Sequence, residues 1–192
     1  MFKDIVMKNR SYRGYDESFR FTKEMLEEYV DVTRFCPSSV NMQPLKYYIA
    51  YDKGEVDLIQ SMTKWARALP DLNLPFEGHR PTGFIVICQD TNLNSNLNRF
   101  CKDVGIVAQT ILLMAASQDL GGCMIGNFVK EEVQSKLKLS ENLVPLLIVA
   151  LGKPDETIVI TEVKDNQTKY YRDENNVHYV PKRKLEDILI KK

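Results

Sequence analysis

Residues 98–127, NRFCKDVGIVAQTILLMAASQDLGGCMIGN, contain the longest helical pattern in the chain. Apolar side chains in residues 98–120 cover more than one face of a helix, which predicts a central helix packed on several sides. Gly121 and Gly122 predict the end of that helix, because glycine is favoured just beyond a helix C-terminus. We therefore expect this helix to form the middle of the core.

Shorter helices and strands are predicted on both sides of this helix. Thr22 is suited to cap the first of them, and Trp65, the only tryptophan, lies in the second. The segments with helical periodicity are residues 22–35, 56–69 and 130–139. The segments rich in β-branched and other apolar side chains, which predict strands, are residues 46–51, 82–89 and 143–151.

The composition predicts one soluble domain. A chain of 192 residues with 26 basic and 26 acidic side chains carries no net charge, so no global field draws it to nucleic acid or to a membrane. At this length a single core buries about 70% of the surface that the unfolded chain exposes. No segment has the apolar run of a signal peptide or a transmembrane helix, which predicts a cytoplasmic protein.

The cysteines and histidines form no metal-binding pattern. Cys36, Cys88, Cys101 and Cys123 are widely spaced and contain no C-x-x-C pair, so a structural zinc site is not predicted. All four lie in apolar contexts, which predicts reduced thiols in the core of an intracellular protein.

The last part of the chain, residues 155–192, differs in character from the rest. Isolated apolar and aromatic side chains lie there in polar surroundings, and residues 169–180, KYYRDENNVHYV, are consistent with a hairpin about a DENN loop. Two interpretations stay open: a surface hairpin followed by a terminal helix, or an arm that packs on a second subunit.

Two basic segments near the ends of the chain are candidates for binding an anion. Residues 9–13, NRSYR, place Arg10, Ser11 and Arg13 before the first long helix, and guanidinium and hydroxyl groups suit a phosphate. Residues 181–184, PKRK, would complete such a site. Each segment is also consistent with a solvated basic turn or surface.

Residues 36–45, CPSSVNMQPL, combine two prolines with neutral hydrogen-bonding side chains. Ser38, Ser39, Asn41 and Gln43 can each donate and accept, which suits a ligand that has a polyol chain and a heteroaromatic ring. The alternative is a capped turn in which these side chains only satisfy backbone groups.

Residues 121–128, GGCMIGNF, are rich in glycine but contain neither the phosphate-loop pattern nor the dinucleotide-binding fingerprint. Glycine would let a flat ring approach the backbone, so that a main-chain N–H meets a ring nitrogen. The alternative is a helix stop followed by a short strand.

Taken together, these segments resemble the flavin-dependent nitroreductase family over nearly the whole chain. The similarity rests on NRSYRGYD (9–16), PSSVNMQP (37–44), DVGIVAQTILL (103–113) running into LGGCMIG (120–126), and VALGKP (149–154). It implies an α+β fold, a three-layer α-β-α sandwich with a mixed, largely antiparallel sheet, in which residues 1–192 form one domain. It also implies a domain-swapped homodimer with FMN at the interface, and residues 155–192 as an arm on the partner.

The resemblance also assigns the cofactor contacts by position. Arg10, Ser11 and Arg13 resemble the first FMN-binding segment, with Arg13 toward the pyrimidine edge of the ring. Asn9 departs from the family, which often has a basic residue at that position. The backbone N–H near Ile125 or Gly126 would face the flavin N5. The other implied contacts are Pro37, Ser38, Ser39, Asn41 and Gln43, which reach the flavin from the other subunit, together with Met124, Lys182, Arg183 and Lys184.

The activity implied by the resemblance is an FMN-dependent oxidoreductase that works in two steps. NADH or NADPH would reduce the FMN, and a nitroaromatic, a quinone or a similar flat acceptor would reoxidise it, so that no protein nucleophile is required. Trp65, Leu69 and Phe76 are expected to line the acceptor pocket. The alternative is an ordinary helix and loop packed by Trp65.

Other classes of function stay open at this point. The same scaffold could carry another flavin reaction, such as ene reduction, dehalogenation or flavin breakdown, because function depends on the pocket rather than on the fold. A non-catalytic flavin carrier or sensor, or a plain dimeric structural domain, is also compatible with the sequence. No residue pattern selects NADH over NADPH.

Overall fold

The computed structural model describes residues 1–190. Its helices are α1 (Phe2–Lys8), α2 (Lys23–Asp31), α3 (Lys53–Ser61), α4 (Cys101–Ser117), α5 (Lys130–Lys136) and α6 (Leu185–Ile188). Its strands are β1 (Tyr15–Asp16), β2 (Leu45–Ala50), β3 (Gly83–Asp90), β4 (Gly121–Ile125), β5 (Leu143–Pro154), β6 (Ile158–Glu162), β7 (Tyr171–Arg172) and β8 (His178–Lys182).

Strand β5 is the centre of a five-stranded sheet. It pairs with β3 along one edge and with β4 and then β1 along the other, and β2 pairs with the outer edge of β3. All of these pairings are antiparallel, which confirms the prediction of a largely antiparallel sheet. Within the described residues, parallel pairing is confined to a bridge between Ser11 and Gly122 and to a second, smaller sheet.

The sheet is covered by helices on both faces, as the predicted three-layer sandwich requires. On β3, Ile85 and Ile87 belong to one buried cluster, together with residues of α2 and α4. The alternate residues Phe84 and Val86 belong to a second buried cluster, together with residues of α3 and α5. Because successive side chains of a strand point to opposite faces, a fully apolar strand such as β3 needs both layers.

Helix α4 is central, as predicted. Val107, Ile111 and Ala115 are buried on the side that faces the sheet and α2. Burial of a side chain the size of Val107 or Ile111 stabilises the fold by roughly 1.5–3 kcal/mol. The helix starts at Cys101 rather than at residue 98, because the backbone N–H of Asn98 donates to the side chain of Asn96 in a turn.

The glycines after α4 do not end the helix, and that prediction is wrong. The helix ends at Ser117, and Asp119 takes the left-handed conformation (φ 61°) that reverses the chain. Gly121 and Gly122 instead lie in β4, where Tyr12 packs closely over Gly121. Glycine is therefore needed at positions 121 and 122 because neighbouring atoms leave no space for a side chain, and not because the chain turns there.

The predicted helix over residues 56–69 is also wrong in its second half. Helix α3 starts earlier, at Lys53, and ends at Ser61. The backbone N–H of Lys64 donates to the carbonyl of Asn127 instead of continuing the helix. Trp65 therefore packs on the core from an irregular segment, and a tertiary hydrogen bond has overridden the helical periodicity.

The cysteines are free, but they do not all lie in the core. Cys88 and Cys123 are buried, Cys36 is half-buried, and Cys101 is exposed in the first turn of α4. The prediction of a core position is therefore wrong for Cys101. Among residues 1–190, no cluster of three or more histidine, cysteine, aspartate or glutamate side chains is placed to hold a metal ion.

The end of the chain forms a small three-stranded sheet in the order β6-β8-β7. Strands β7 and β8 form the predicted hairpin, and the backbone N–H of Asn176 donates to the carbonyl of Asp173 in its loop. Helix α6 follows and leaves several apolar side chains exposed. Packing of this segment on a second subunit stays a prediction. None of the helices described here is long and apolar enough to cross a bilayer.

We predict that Gly122→Ala lowers the free energy of unfolding by about 2–3 kcal/mol, because the added methyl group would overlap the carbonyl oxygen of Ala150 and the Leu112 side chain. The matched control is Gly126→Ala in the same segment, where the added methyl group meets nothing within 4 Å. Urea denaturation monitored by circular dichroism measures both variants. Equal unfolding midpoints would contradict this account of β4.

Candidate functional site

A cavity of about 360 Å³ lies where the N-terminal segment, α4, β4 and the small C-terminal sheet meet. The bridge between Ser11 and Gly122 and the hydrogen bond from the backbone N–H of Tyr12 to the carbonyl of Gly122 hold the N-terminal segment against β4. The lining residues are Val6, Asn9, Arg10, Ser11, Arg13, Gln109, Leu112, Met124, Ile158, Tyr170, His178, Val180 and Lys182.

The charged side chains that line this cavity are basic. Arg10, Arg13 and Lys182 line it, and no carboxylate is among its lining residues in the described part of the chain. The Nε atoms of Arg10 and Arg13 are buried without a hydrogen-bond partner in residues 1–190. Because a buried N–H group without an acceptor is costly, these two Nε atoms indicate a site that an anionic or acceptor-rich ligand would complete.

Arg10 is held partly by its own segment. Its Nη2 atom donates to the carbonyl of Val6 at 2.7 Å. Burial lowers the pKa of the Arg10 guanidinium from its ordinary value, and the nearby Tyr12 opposes that shift. An anion in the cavity would act in the same direction as Tyr12, because a negative charge favours the protonated guanidinium.

Arg13 is fixed by contacts from both ends of the chain, and only 9% of it is exposed. Its Nη1 atom donates to the carbonyl of Ser11 at 3.1 Å and lies 3.3 Å from Nε2 of His178. Its guanidinium carbon lies 4.9 Å from the centre of the Tyr170 ring, within the range of a cation–π interaction. The guanidinium is thus held in one orientation at the wall of the cavity.

A buried ion pair lies behind Arg13. Glu156 pairs with Arg172 and also accepts a hydrogen bond from the backbone N–H of Arg13. Burial raises the pKa of Glu156, while the Arg13 backbone N–H and the charges of Arg172 and Arg13 oppose the shift. Among residues 1–190, Glu156 therefore forms its salt bridge with Arg172 and contacts Arg13 through the backbone N–H.

The predicted loop of residues 37–43 lies at a different cavity, of about 550 Å³, between α2, β2 and α4. Its anchor is Asp103, in the first turn of α4 and only 4% exposed. One carboxylate oxygen of Asp103 accepts from the Ser38 hydroxyl at 2.6 Å and from the Ser39 N–H at 3.0 Å. Ser38 in turn accepts from the Gln43 N–H at 3.0 Å, so this serine does act in a capped turn.

The same loop has an unusual backbone. Val40, Asn41 and Gln43 all take positive φ angles, of 50°, 53° and 52°. This conformation is costly for residues other than glycine, above all for a β-branched one, and it concentrates at functional sites. Gln43 donates from its amide to Asn41. The exposed tip of the loop therefore presents amide groups outward in a fixed arrangement.

The other predicted cofactor residues lie in different surroundings. Met124 lines the cavity with Arg13, whereas Ile125 is buried in β4. Gly126 follows β4 and has open space beside it, as a close approach of a ring would require. Arg183 donates to Asn166 and Lys184 pairs with Glu162, whereas Lys182 lines the cavity.

The predicted acceptor-binding residues lie in separate places in residues 1–190. Trp65 packs on the core, and its indole N–H donates to Thr63 at 2.9 Å, as in the alternative of an ordinary packed loop. Leu69 and Phe76 line two further cavities beside the small C-terminal sheet.

Sequence reasoning missed three polar residues that the structure brings to these sites. Asp103 supports the loop of residues 37–43, while Gln109 and His178 line the Arg13 cavity. For Asp103 and Gln109, the available signal was a polar side chain within an otherwise apolar helix. His178 gave no such signal, because its strand is short and no motif in the sequence marks it.

The sequence matches the model of the Nitroreductase family over residues 6–153. YodC of Bacillus subtilis (strain 168), provisionally named an NAD(P)H nitroreductase, is 23% identical to this chain. The match spans 177 residues and covers 78% of this chain and 88% of YodC.

Solved structures share the fold at lower identity. A nitroreductase family protein from Streptococcus pneumoniae TIGR4 superposes with a TM-score of 0.70 at 15% identity, covering 100% of both chains. A protein from Exiguobacterium sibiricum 255-15, solved in complex with FMN, superposes with a TM-score of 0.68 at 17% identity. That match covers 81% of this chain and 89% of the other.

We predict that Asp103→Ala lowers the free energy of unfolding by about 2–3 kcal/mol, because the Ser38 hydroxyl and the Ser39 N–H lose their shared acceptor. Protease cleavage within residues 36–43 should become faster. The control is Asp57→Ala, which removes only an exposed ion pair with Lys53 on α3 and should cost less than about 0.5 kcal/mol. Equal losses in the two variants would show that Asp103 does not anchor the loop.

Proposed function

This chain belongs to the nitroreductase family, and we propose that it is an FMN-dependent oxidoreductase that takes electrons from NADH or NADPH. The observation that carries the proposal is the cavity lined by Arg10, Arg13 and Lys182, without a carboxylate among its described lining residues. The FMN bound to the relative from Exiguobacterium sibiricum and the NAD(P)H in the name of YodC support the two cofactors.

The residues present fit FMN. Arg10 and Lys182 supply positive charge for the phosphate, and the Ser11 hydroxyl adds a neutral donor. The buried Nε atoms of Arg10 and Arg13 lack acceptors within the described chain, and the cofactor's phosphate and ring carbonyl oxygens are acceptors. Leu112, with the apolar residues beside it, offers a surface for a flat ring.

Bound FMN would supply the redox chemistry, accepting a hydride equivalent from NAD(P)H and passing electrons to a flat acceptor such as a nitroaromatic or a quinone. The chain would supply binding, orientation and electrostatics. Arg13, held rigidly at the pyrimidine edge, would stabilise negative charge there, and one preorganised donor of this kind contributes about 3 kcal/mol. The apolar wall of Leu112, Met124 and Ile158 would keep water away from the ring.

We further propose that the active form is a homodimer, in which the loop of residues 37–43 completes the cofactor site of the partner. The loop does not line the Arg13 cavity of its own chain, yet its amides are held outward in a strained conformation. Exposed apolar side chains cluster near the loop and at both chain ends. They include Phe2, Met7, Phe35, Val40, Leu185 and Ile188.

We predict that the purified protein is yellow or takes up one FMN per chain, and that it then oxidises NADH or NADPH in the presence of nitroaromatics or quinones. An absorption spectrum followed by an acceptor screen is the measurement. Bound FMN without sustained NAD(P)H oxidation would indicate a carrier or a sensor. Failure to bind FMN offered in excess would contradict the proposal.

We predict that Lys182→Ala weakens the binding of FMN about tenfold but leaves the binding of riboflavin unchanged, because riboflavin lacks the phosphate that Lys182 would contact. The matched control is Lys184→Ala, since Lys184 pairs with Glu162 outside the cavity. Fluorescence titration of the apo-protein gives both dissociation constants. An equal loss for the two flavins would remove Lys182 from the phosphate site.

A further inference from the structure

His178 lies in β8 of the C-terminal sheet, far along the chain from Arg13, and only 1% of it is exposed. Its backbone N–H donates to the carbonyl of Thr157, directly before β6, as part of the pairing of β6 with β8. Its ring packs beside Tyr170, with the ring centres 5.2 Å apart, and its Nε2 atom lies 3.3 Å from Nη1 of Arg13.

The contact with Arg13 determines which protonation state of His178 is compatible with a hydrogen bond. A guanidinium group only donates hydrogen bonds, so Nε2 of His178 must accept and the imidazole must be neutral. The proton of the neutral ring is then on Nδ1, which is buried without a partner in residues 1–190. Burial, together with the charges of Arg13 and Arg172, lowers the pKa of His178 to about 4. Near pH 7 the ring is therefore in the form that the contact needs.

The direction of the Arg13 guanidinium depends on few contacts. Its Nη1 atom has two acceptors, the carbonyl of Ser11 and Nε2 of His178. Tyr170 contacts one face of the group through its ring, and a cation–π contact supplies no hydrogen-bond acceptor. Without His178, a single backbone carbonyl would orient the group.

We propose that His178 is a positioning residue, which accepts a hydrogen bond from Arg13 and so aims the guanidinium at the flavin ring edge. This inference rests on the proposed function, because it assigns His178 a role only toward the FMN that Arg13 would contact. The C-terminal sheet, which also supplies Ile158 and Lys182 to the cavity lining, would thereby orient Arg13 as well. Arg13 remains the residue that touches the cofactor.

The test compares variants at position 178 that differ in their ability to accept this bond. His178→Phe keeps an aromatic ring but removes the acceptor, and His178→Gln places an amide oxygen near the position of Nε2. We expect FMN to bind about tenfold more weakly to His178→Phe, the factor that corresponds to one hydrogen bond to a charged group. We expect the FMN dissociation constant of His178→Gln to lie within about twofold of that of the natural protein. We expect the midpoint potential of the bound flavin to fall in His178→Phe and to return to the natural value in His178→Gln.

A double-mutant cycle with Arg13→Ala separates positioning from a general structural effect. If His178 acts through Arg13, His178→Phe causes no further loss of FMN affinity in the Arg13→Ala background. Tyr179→Phe, at the next position of β8, is the matched control, because it removes a hydroxyl that bonds Asp173 and leaves Arg13 untouched. Thermal unfolding of each apo-protein checks that the fold is kept.

Each outcome decides the inference. Equal FMN affinity in His178→Phe and the natural protein, or an equal loss with and without Arg13, overturns it. Should His178→Phe fail to fold, His178→Asn replaces it, because the shorter amide does not reach Arg13. Equal FMN affinity in His178→Asn and His178→Gln would then overturn the inference. If the natural protein itself does not bind FMN, the proposed function has failed instead.

Discussion

The candidate site depends on the contacts that hold the buried guanidinium group of Arg13 in place. This group receives contacts from the N-terminal segment through Ser11 and from the C-terminal sheet through Tyr170 and His178. Glu156, the nearest carboxylate in its contacts, is already paired with Arg172. Within residues 1–190, the cavity that Arg13 shares with Arg10 and Lys182 has no carboxylate in its lining, so the positive charge of Arg13 is available to a ligand there.

The layered fold explains how segments far apart in sequence reach one cavity. The long strand β5 binds β3, β4 and β1, and α4 packs beneath β4. Within this core, Leu112 of α4 lines the Arg13 cavity. Asp103, in the first turn of the same helix, accepts a hydrogen bond from the loop of residues 37–43. One rigid helix thus supports both regions that the proposed dimer would bring together around FMN.

Much of the fold could be predicted from the sequence, because burial produces periodic patterns. The apolar runs of β3 and β5 and the many-sided pattern of α4 correspond directly to their positions in the core. The errors in the bounds of α3 and α4 arose where individual hydrogen bonds decided the structure. Asparagine side chains delay the start of α4, and the bond from Lys64 to Asn127 ends α3 early. Patterns of hydrophobicity carry no information about such bonds.

The candidate site was predictable in its cations and less so in its supporting residues. Arg10, Arg13 and Lys182 meet at one cavity, whereas Arg183 and Lys184 turn away to partners on the surface. Asp103 and His178 act by contacting other side chains rather than by matching a motif, so only the folded chain reveals them. The most direct measurement is a crystal structure of the protein grown with saturating FMN. The account predicts FMN in the Arg13 cavity, with its phosphate beside Arg10 and Lys182; FMN bound elsewhere, away from Arg13, would contradict it.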